Sequence, residues 1–197
     1  MKETQGKAAP EQQLADAIQE AEAEMDTRSR LVHVAARLFA DRGIDGVSTR
    51  DITTAANANS AAIGYYFKSK ENLVREVFES LAGPMNRARL DALTAYELSV
   101  GPESILEIEE VARCLIDPAI RMASDPTHDA HYLSRLLLFA RALPWTWIND
   151  VLAKQYDEVF RRFVAAFQRA LPDETYETVS WRYDFLVGAI LYTFRYF

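Results

Sequence analysis

The sequence predicts an all-α protein, a small N-terminal helical unit followed by a larger helical body. Three observations carry this. Seven Gly and seven Pro in 197 residues leave little room for the turns of an all-β fold. No run of short alternating strands is present, and from residue 31 onward apolar residues recur at helical spacing. A 49% hydrophobic, 26% charged composition supplies a core and excludes a globally disordered chain. At about 150 residues per domain, the length suits one domain or two small ones.

Residues 1–10 read as a disordered start. Residues 11–25 favour a helix by propensity, with only a thin apolar face at Leu14, Ile18, Ala21 and Met25. The first strong helix carries Leu31, Val34, Ala35, Leu38 and Phe39 as one apolar stripe. Gly43 is placed to end it in a left-handed conformation, with Ile44 as the hydrophobic contact beyond. Ser48-Thr49-Arg50-Asp51 forms a capping box that opens a short helix, 49–56, with Ile52, Ala55 and Ala56 inward. Asn57-Ala58-Asn59 breaks it, and Asn tolerates the left-handed conformation such a break needs. A third short helix, 60–67, places Ile63, Tyr66 and Phe67 as core residues. Lys68-Ser69 interrupts, and Ser69 caps a fourth helix with Leu73, Val77, Phe78 and Leu81.

Gly83-Pro84 is expected to mark the joint to the second part. Beyond it, helices are expected near 84–98, 103–123, 129–143, 148–171 and 175–197, with Pro118 kinking the second of these. Leu152, Tyr156, Val159, Phe160, Phe163, Val164, Phe167 and Leu171 form a continuous apolar face. The last helix is apolar nearly all round from Trp181, so it must be covered on more than one side. Gly188 and Ala189 permit close approach of another helix. These two helices suit a symmetric four-helix interface between two copies, with Tyr156, Phe160, Phe163, Phe167, Phe185, Gly188, Ala189 and Tyr192 in it.

Two short helices joined by a three- or four-residue turn and packed on a longer one form a helix-turn-helix arrangement. The pattern fits a helical hairpin in an ordinary bundle equally well. The residues separate the two. Arg-Leu-Val-His-Val-Ala-Ala-Arg-Leu-Phe-Ala-Asp-Arg-Gly (30–43), Val-Ser-Thr-Arg-Asp-Ile (47–52) and Ile-Gly-Tyr-Tyr-Phe-Lys-Ser-Lys-Glu-Asn-Leu (63–73) resemble the N-terminal domain of TetR-family regulators. The resemblance covers about residues 27–80. It implies double-stranded DNA as a partner and a homodimer as the binding unit. It places Ser48, Thr49 and Arg50 at the DNA backbone, where a helix N-terminus suits phosphate. Asn59, Ser60 and Ala61 would open the recognition helix, Tyr65 would be a phosphate-contacting aromatic, and Lys68 and Lys70 would add cations. Two positions depart from the family pattern. Asn57 stands where Gly is common, and Gly64 stands where many members carry Tyr or another polar residue, so it offers no side chain to DNA.

Charge fits a local footprint rather than bulk attraction. The net charge of -7 and pI near 5.1 exclude a protein that coats nucleic acid by overall charge. Residues 26–80, however, hold eight Arg and Lys against seven acids, a net of +1, whereas 1–25 and 81–197 each carry -4. An acidic extension is a poor minor-groove arm, so deleting residues 1–20 is expected to leave DNA affinity intact.

The C-terminal body resembles, more loosely, a TetR subgroup that includes fatty-acid-responsive repressors. The carrying segments are 162–172 and 181–189. A helix kinked at Pro118 with Cys114, Met122, Tyr132, Phe139, Trp145 and Trp147 nearby would allow an apolar effector cavity. Arg113, Arg121 and Arg135 could meet an acidic ligand or pair locally with Glu110, Asp117 and Asp125. The organisation expected is therefore an N-terminal extension (1–25), a DNA-binding domain (26–82) and a ligand-binding and dimerisation domain (83–197).

No catalytic residue, cofactor or metal is expected. His128 and His131 lie near Asp125 and Asp129 but lack a third strong ligand. Cys114, the single cysteine, excludes an internal disulfide and reads as a small buried hydrophobe. The first 25 residues lack a secretory apolar run, and 185–194 is too short to span a bilayer, so a cytoplasmic protein without membrane contact is expected. The reading is a ligand-responsive repressor that binds a palindromic operator as a homodimer. Its competitors are a dimeric helical interaction protein without an operator and a helical-bundle enzyme.

Overall fold

A computed structural model describes residues 25–124, 130–142 and 145–193, apart from the side chains of 123, 130, 131, 141 and 142. The expectations for the N-terminal extension, Asp125, His128, Asp129 and the His131 imidazole lie outside the described residues. The described chain forms helices α1 (Thr27–Arg42), α2 (Thr49–Ala55), α3 (Ala62–Tyr66) and α4 (Lys70–Val100), then α5 (Ile108–Ser124), α6 (Ala130–Ala142), α7 (Thr146–Ala170) and α8 (Tyr176–Thr193).

Asp26 caps α1, accepting hydrogen bonds from the backbone N–H groups of Arg28 and Ser29. The predicted stripe of α1 is buried, and so are Val32, Ala36 and Ala40. The additional burial comes from α6, whose Leu133, Leu136, Leu137 and Ala140 join the same core. Gly43 ends α1 with φ 74 and ψ 159, a positive φ as expected but an extended ψ rather than a left-handed turn. Ile44 is buried just beyond it.

The joint expected at Gly83-Pro84 is not a break. Helix α4 runs through both residues for 31 residues. Pro84 lacks the N–H that would bond the Ser80 carbonyl. Ser80 is exposed, so water can take that carbonyl, and Leu81, Ala82, Met85, Asn86 and Arg89 bury the other side of the helix. Packing thus overrides a local breaker. Gly101, at φ 90, ends α4 and donates its N–H to the Glu97 carbonyl. Residues 103–107, expected as helix, form a connection in which Glu107 N–H donates to Tyr96 Oη.

Two buried clusters result. One joins α1–α3 and the first half of α4 to Ala119, α6 and the start of α7. The other joins the second half of α4 to α5, the end of α7 and α8. Glu97 ties α4 to α7 by accepting from Arg162 at 2.8 Å and Arg169 at 3.3 Å.

Candidate nucleic-acid interface

The site is built from the capped start of α2. Ser48 Oγ accepts from the Asp51 N–H, and the Asp51 carboxylate accepts from both the Ser48 N–H (2.8 Å) and the Ser48 hydroxyl (2.6 Å). These bonds hold the Asp51 carboxyl below its ordinary range. The Ser48 hydroxyl is therefore engaged in fixing the helix start. Thr49 and Arg50 stand exposed beside it.

The turn between α2 and α3 is fixed from both sides. Asn57 adopts φ 48, and the Ala58 N–H bonds back to the Thr53 carbonyl at 2.8 Å. Arg30 of α1 reaches across to donate to the carbonyls of Ala56 and Met25. Asn59 Oδ1 accepts from the Ala61 N–H at 2.8 Å, an Asx turn that leads into α3. Ile52, Thr53, Ala56, Ala62, Ile63 and Phe67 turn inward. Ala55, expected inward, is exposed and Thr53 takes its place; the Thr53 hydroxyl is satisfied by the Arg50 carbonyl. Tyr66, expected in the core, is 36% exposed, while Ile63 and Phe67 take the inward side of this short helix. It instead meets Tyr65 edge-on at 4.8 Å.

On the outer side, Asn59, Ser60, Ala61, Gly64, Tyr65 and Lys68 are all exposed, Tyr65 by 73%. A Cβ built on Gly64 would meet nothing within 4 Å. Lys68, at φ 69, donates to the Tyr65 carbonyl. Lys70 is half-buried: its Nζ donates to the Ile44 carbonyl at 2.5 Å and lies over the Phe39 ring. Burial lowers its basicity against the pull of Asp45 and Asp51. One of its three N–H groups thus docks α4 onto the loop after α1, and two remain.

Four of the six expected cavity residues gather on one core, and none of the six lines the cavity described below. Met122, Tyr132, Trp145 and Trp147 pack on the first core, Phe139 is exposed with its ring on the open side of Gly43, where an added Cβ would lie 3.8 Å from it, and Cys114 packs on the second core. The reason is the α1–α6 contact, which draws this aromatic group toward the N-terminal unit. The Trp145 and Trp147 rings stack at 5.3 Å, with Arg75 over Trp147. A cavity of about 570 Å³ lies elsewhere, lined by Met85, Arg89, Leu133, Tyr156, Phe160, Tyr183 and neighbouring residues of α4–α8. Helical spacing carries a signal for Arg89, which lies four residues before Leu93 on the inward side of α4. Arg113 pairs locally with Glu110, one of the expected alternatives, and Arg135 pairs with Asp41 of α1.

The expected interface residues divide in two. Phe163 is wholly buried and Phe167 nearly so in the chain's own core, while Tyr156 and Phe160 are half-buried beside the cavity. The reason is that α7 packs against α4 and α5 as well as α8. Trp181, Phe185, Gly188, Ala189 and Tyr192 of α8 are exposed.

A capped, exposed helix pair with a fixed tight turn, anchored to a buried first helix, defines a helix-turn-helix DNA-binding regulator. Comparisons give the family. Residues 31–77 match the family described as "Bacterial regulatory proteins, tetR family", and residues 113–196 match "Tetracyclin repressor-like, C-terminal domain". The chain is 30% identical over 174 residues to the HTH-type transcriptional repressor KstR2 of Rhodococcus jostii, covering 78% of each chain. Among solved structures it resembles the TetR family regulator PfmR of Thermus thermophilus, with a TM-score of 0.63 at 19% identity over 85% of this chain and 86% of that one. The ketosteroid transcriptional regulator KstR2 of Mycobacterium tuberculosis gives 0.55 at 22% identity, over 87% and 83%. The chain belongs to the TetR family of transcription regulators. No helix among the described residues is long and apolar enough to cross a membrane.

Proposed function

We propose that this chain is a ligand-responsive repressor that binds a palindromic operator as a homodimer in the cytoplasm. The observation that carries the reading is the α2–α3 pair, with an apolar inner side packed on α1 and a wholly exposed outer side of Thr49, Arg50, Asn59, Ser60, Ala61, Gly64, Tyr65 and Lys68. In this reading Thr49, Arg50, Tyr65, Lys68 and the remaining donors of Lys70 meet phosphates, and Ser48 fixes the helix that presents them. Asn59, Ser60, Ala61 and Gly64 face base edges, the Asn59 amide N–H₂ still being available to an acceptor. Residues 26–82 then form the DNA-binding part and 83–197 the effector and dimerisation part.

Dimerisation is supported by α8. Trp181, Phe185, Gly188 and Tyr192 recur at i, i+4, i+7 and i+11, a single uncovered apolar stripe on one helix face. Two copies joined there present two recognition helices to half-sites about one DNA turn apart.

Two elements link the cavity to the DNA side. Helix α4 carries Lys70 at one end and Arg89 some 29 Å further along, at about 1.5 Å per residue. Helix α6 lines the cavity with Leu133 and Leu137 and packs on α1 through Leu136, Ala140 and the Arg135–Asp41 pair. An effector that favours one arrangement of α4 and α6 would change the half-site spacing, and operator and effector would oppose each other through a reciprocal coupling energy. Footprinting of the full-length protein on DNA flanking its own gene tests this. Two protected half-sites related by a two-fold axis are expected; a single protected segment without symmetry would refute the dimeric operator.

A further inference from the structure

The cavity contains a charge that the fold leaves uncompensated. Arg89 is 8% exposed, and among the described residues it forms no ion pair. A buried guanidinium stays protonated, so its charge must be met by an anion or the fold bears its desolvation. Its position is nevertheless fixed. Nε donates to the Leu115 carbonyl at 2.9 Å, and Nη1 donates to Asn86 Oδ1 at 3.3 Å. Asn86 is itself held by donating to the Gln155 carbonyl at 2.7 Å. Among the described residues nothing accepts from Nη2, and Nη1 keeps one further N–H.

The other polar groups lining the cavity do not supply the missing charge. Tyr183 is pushed up to about 12 by burial, although Arg89 pulls it down, so it is a neutral phenol near pH 7. Asp157 and Asp184 also line the cavity but are exposed, and neither pairs with Arg89. The remainder of the wall is largely apolar, including Met85, Leu133, Leu152 and Leu191.

We propose that the cavity takes a small monocarboxylate with an apolar body, its carboxylate held by the outer N–H groups of Arg89. The volume of about 570 Å³ suits a compact organic molecule. Arg89 is the one cation among the lining residues, and two aspartates share the wall, so a singly charged planar anion fits and a phosphate dianion does not. This deepens the effector reading of the cavity and rests on it.

Isothermal titration of the full-length protein with decanoate, 4-phenylbutyrate and 1-naphthaleneacetate, each against its methyl ester, tests the assignment. At least one acid is expected to bind about tenfold or more tightly than its ester. Arg89→Met, which keeps the length and removes the charge, is expected to bring acid and ester within about twofold, while Arg89→Lys keeps part of the preference. Equal binding of acid and ester to the unaltered protein would overturn the charge assignment whether or not the variants fold. So would a preference that survives in Arg89→Met, or no binding by any of the six compounds. Operator anisotropy in the same solutions separates the two levels. Acid binding that requires Arg89 but leaves DNA affinity unchanged would support the carboxylate site and reject the effector role. DNA release by an ester as readily as by its acid would do the reverse.

Discussion

At Gly64, α3 presents a bare backbone on its exposed side, where the proposed function puts DNA. Nothing in the protein requires glycine there, since an added Cβ meets no atom within 4 Å and the position is exposed. Helix formation itself is weakened by glycine relative to alanine. Gly64→Ala should therefore stabilise the fold by about 0.5–1 kcal/mol in urea unfolding. The same methyl would stand on the DNA side, so specific operator affinity should fall while the stability rises. An unchanged affinity would place Gly64 outside the interface. Asn57 shows the opposite kind of residue: its φ of 48 is what the sequence pattern required, because the break between two short helices must be made by a residue that tolerates that conformation.

Element ends were legible in the sequence at the Ser48 and Ser69 caps, whereas the Asp26 cap of α1 was not, because no capping box accompanies it. The Ser48–Asp51 box and the Ser69 cap of α4 occur as the spacing predicts, because each depends on residues three apart. Ser48→Ala should cost about 1 kcal/mol near neutral pH, read by thermal or urea unfolding. The pH dependence follows from Asp51. Its pKa is lower folded than the model-peptide value of 3.8, so its stabilisation is full above 3.8 and is lost as pH falls through the folded value. Because Ser48 supplies the main bonds that lower it, the variant should show a flatter loss of stability below pH 4 than the parent. A parallel loss in both would contradict the box as the cause. What local sequence could not show is α4. Gly83-Pro84 is a breaker by propensity, and the helix persists because its flanking residues are buried against α1, α5 and α7. Arg89 was within reach of helical spacing, four residues before Leu93, but a buried cation has no apolar signature, and which helices close around it is set by long-range packing.

For the whole molecule, the same limit separates core from interface. An apolar stripe on α7 or α8 states only that something covers it, and chain topology decides whether that is the same copy. Phe163 is fully buried, whereas Phe185 is 73% exposed on α8. Phe163→Ala should therefore cost about 3–5 kcal/mol of stability. Phe185→Glu should leave the protomer folded by circular dichroism and convert the proposed dimer to monomer in light scattering. A dimer that survives Phe185→Glu would place the interface elsewhere. The acidic whole and the near-neutral 26–80 segment are reconciled at this scale too, because in the proposed function DNA meets only the exposed side of α2 and α3. In the proposed function this surface binds DNA by both phosphate and base contacts. Fluorescence anisotropy of the full-length protein with DNA flanking its own gene, titrated across salt concentrations, tests it most directly. Affinity at least about 10³-fold above random duplex, falling steeply and log-linearly with salt, is expected. Equal affinity for random duplex, or no dependence on salt, would contradict it.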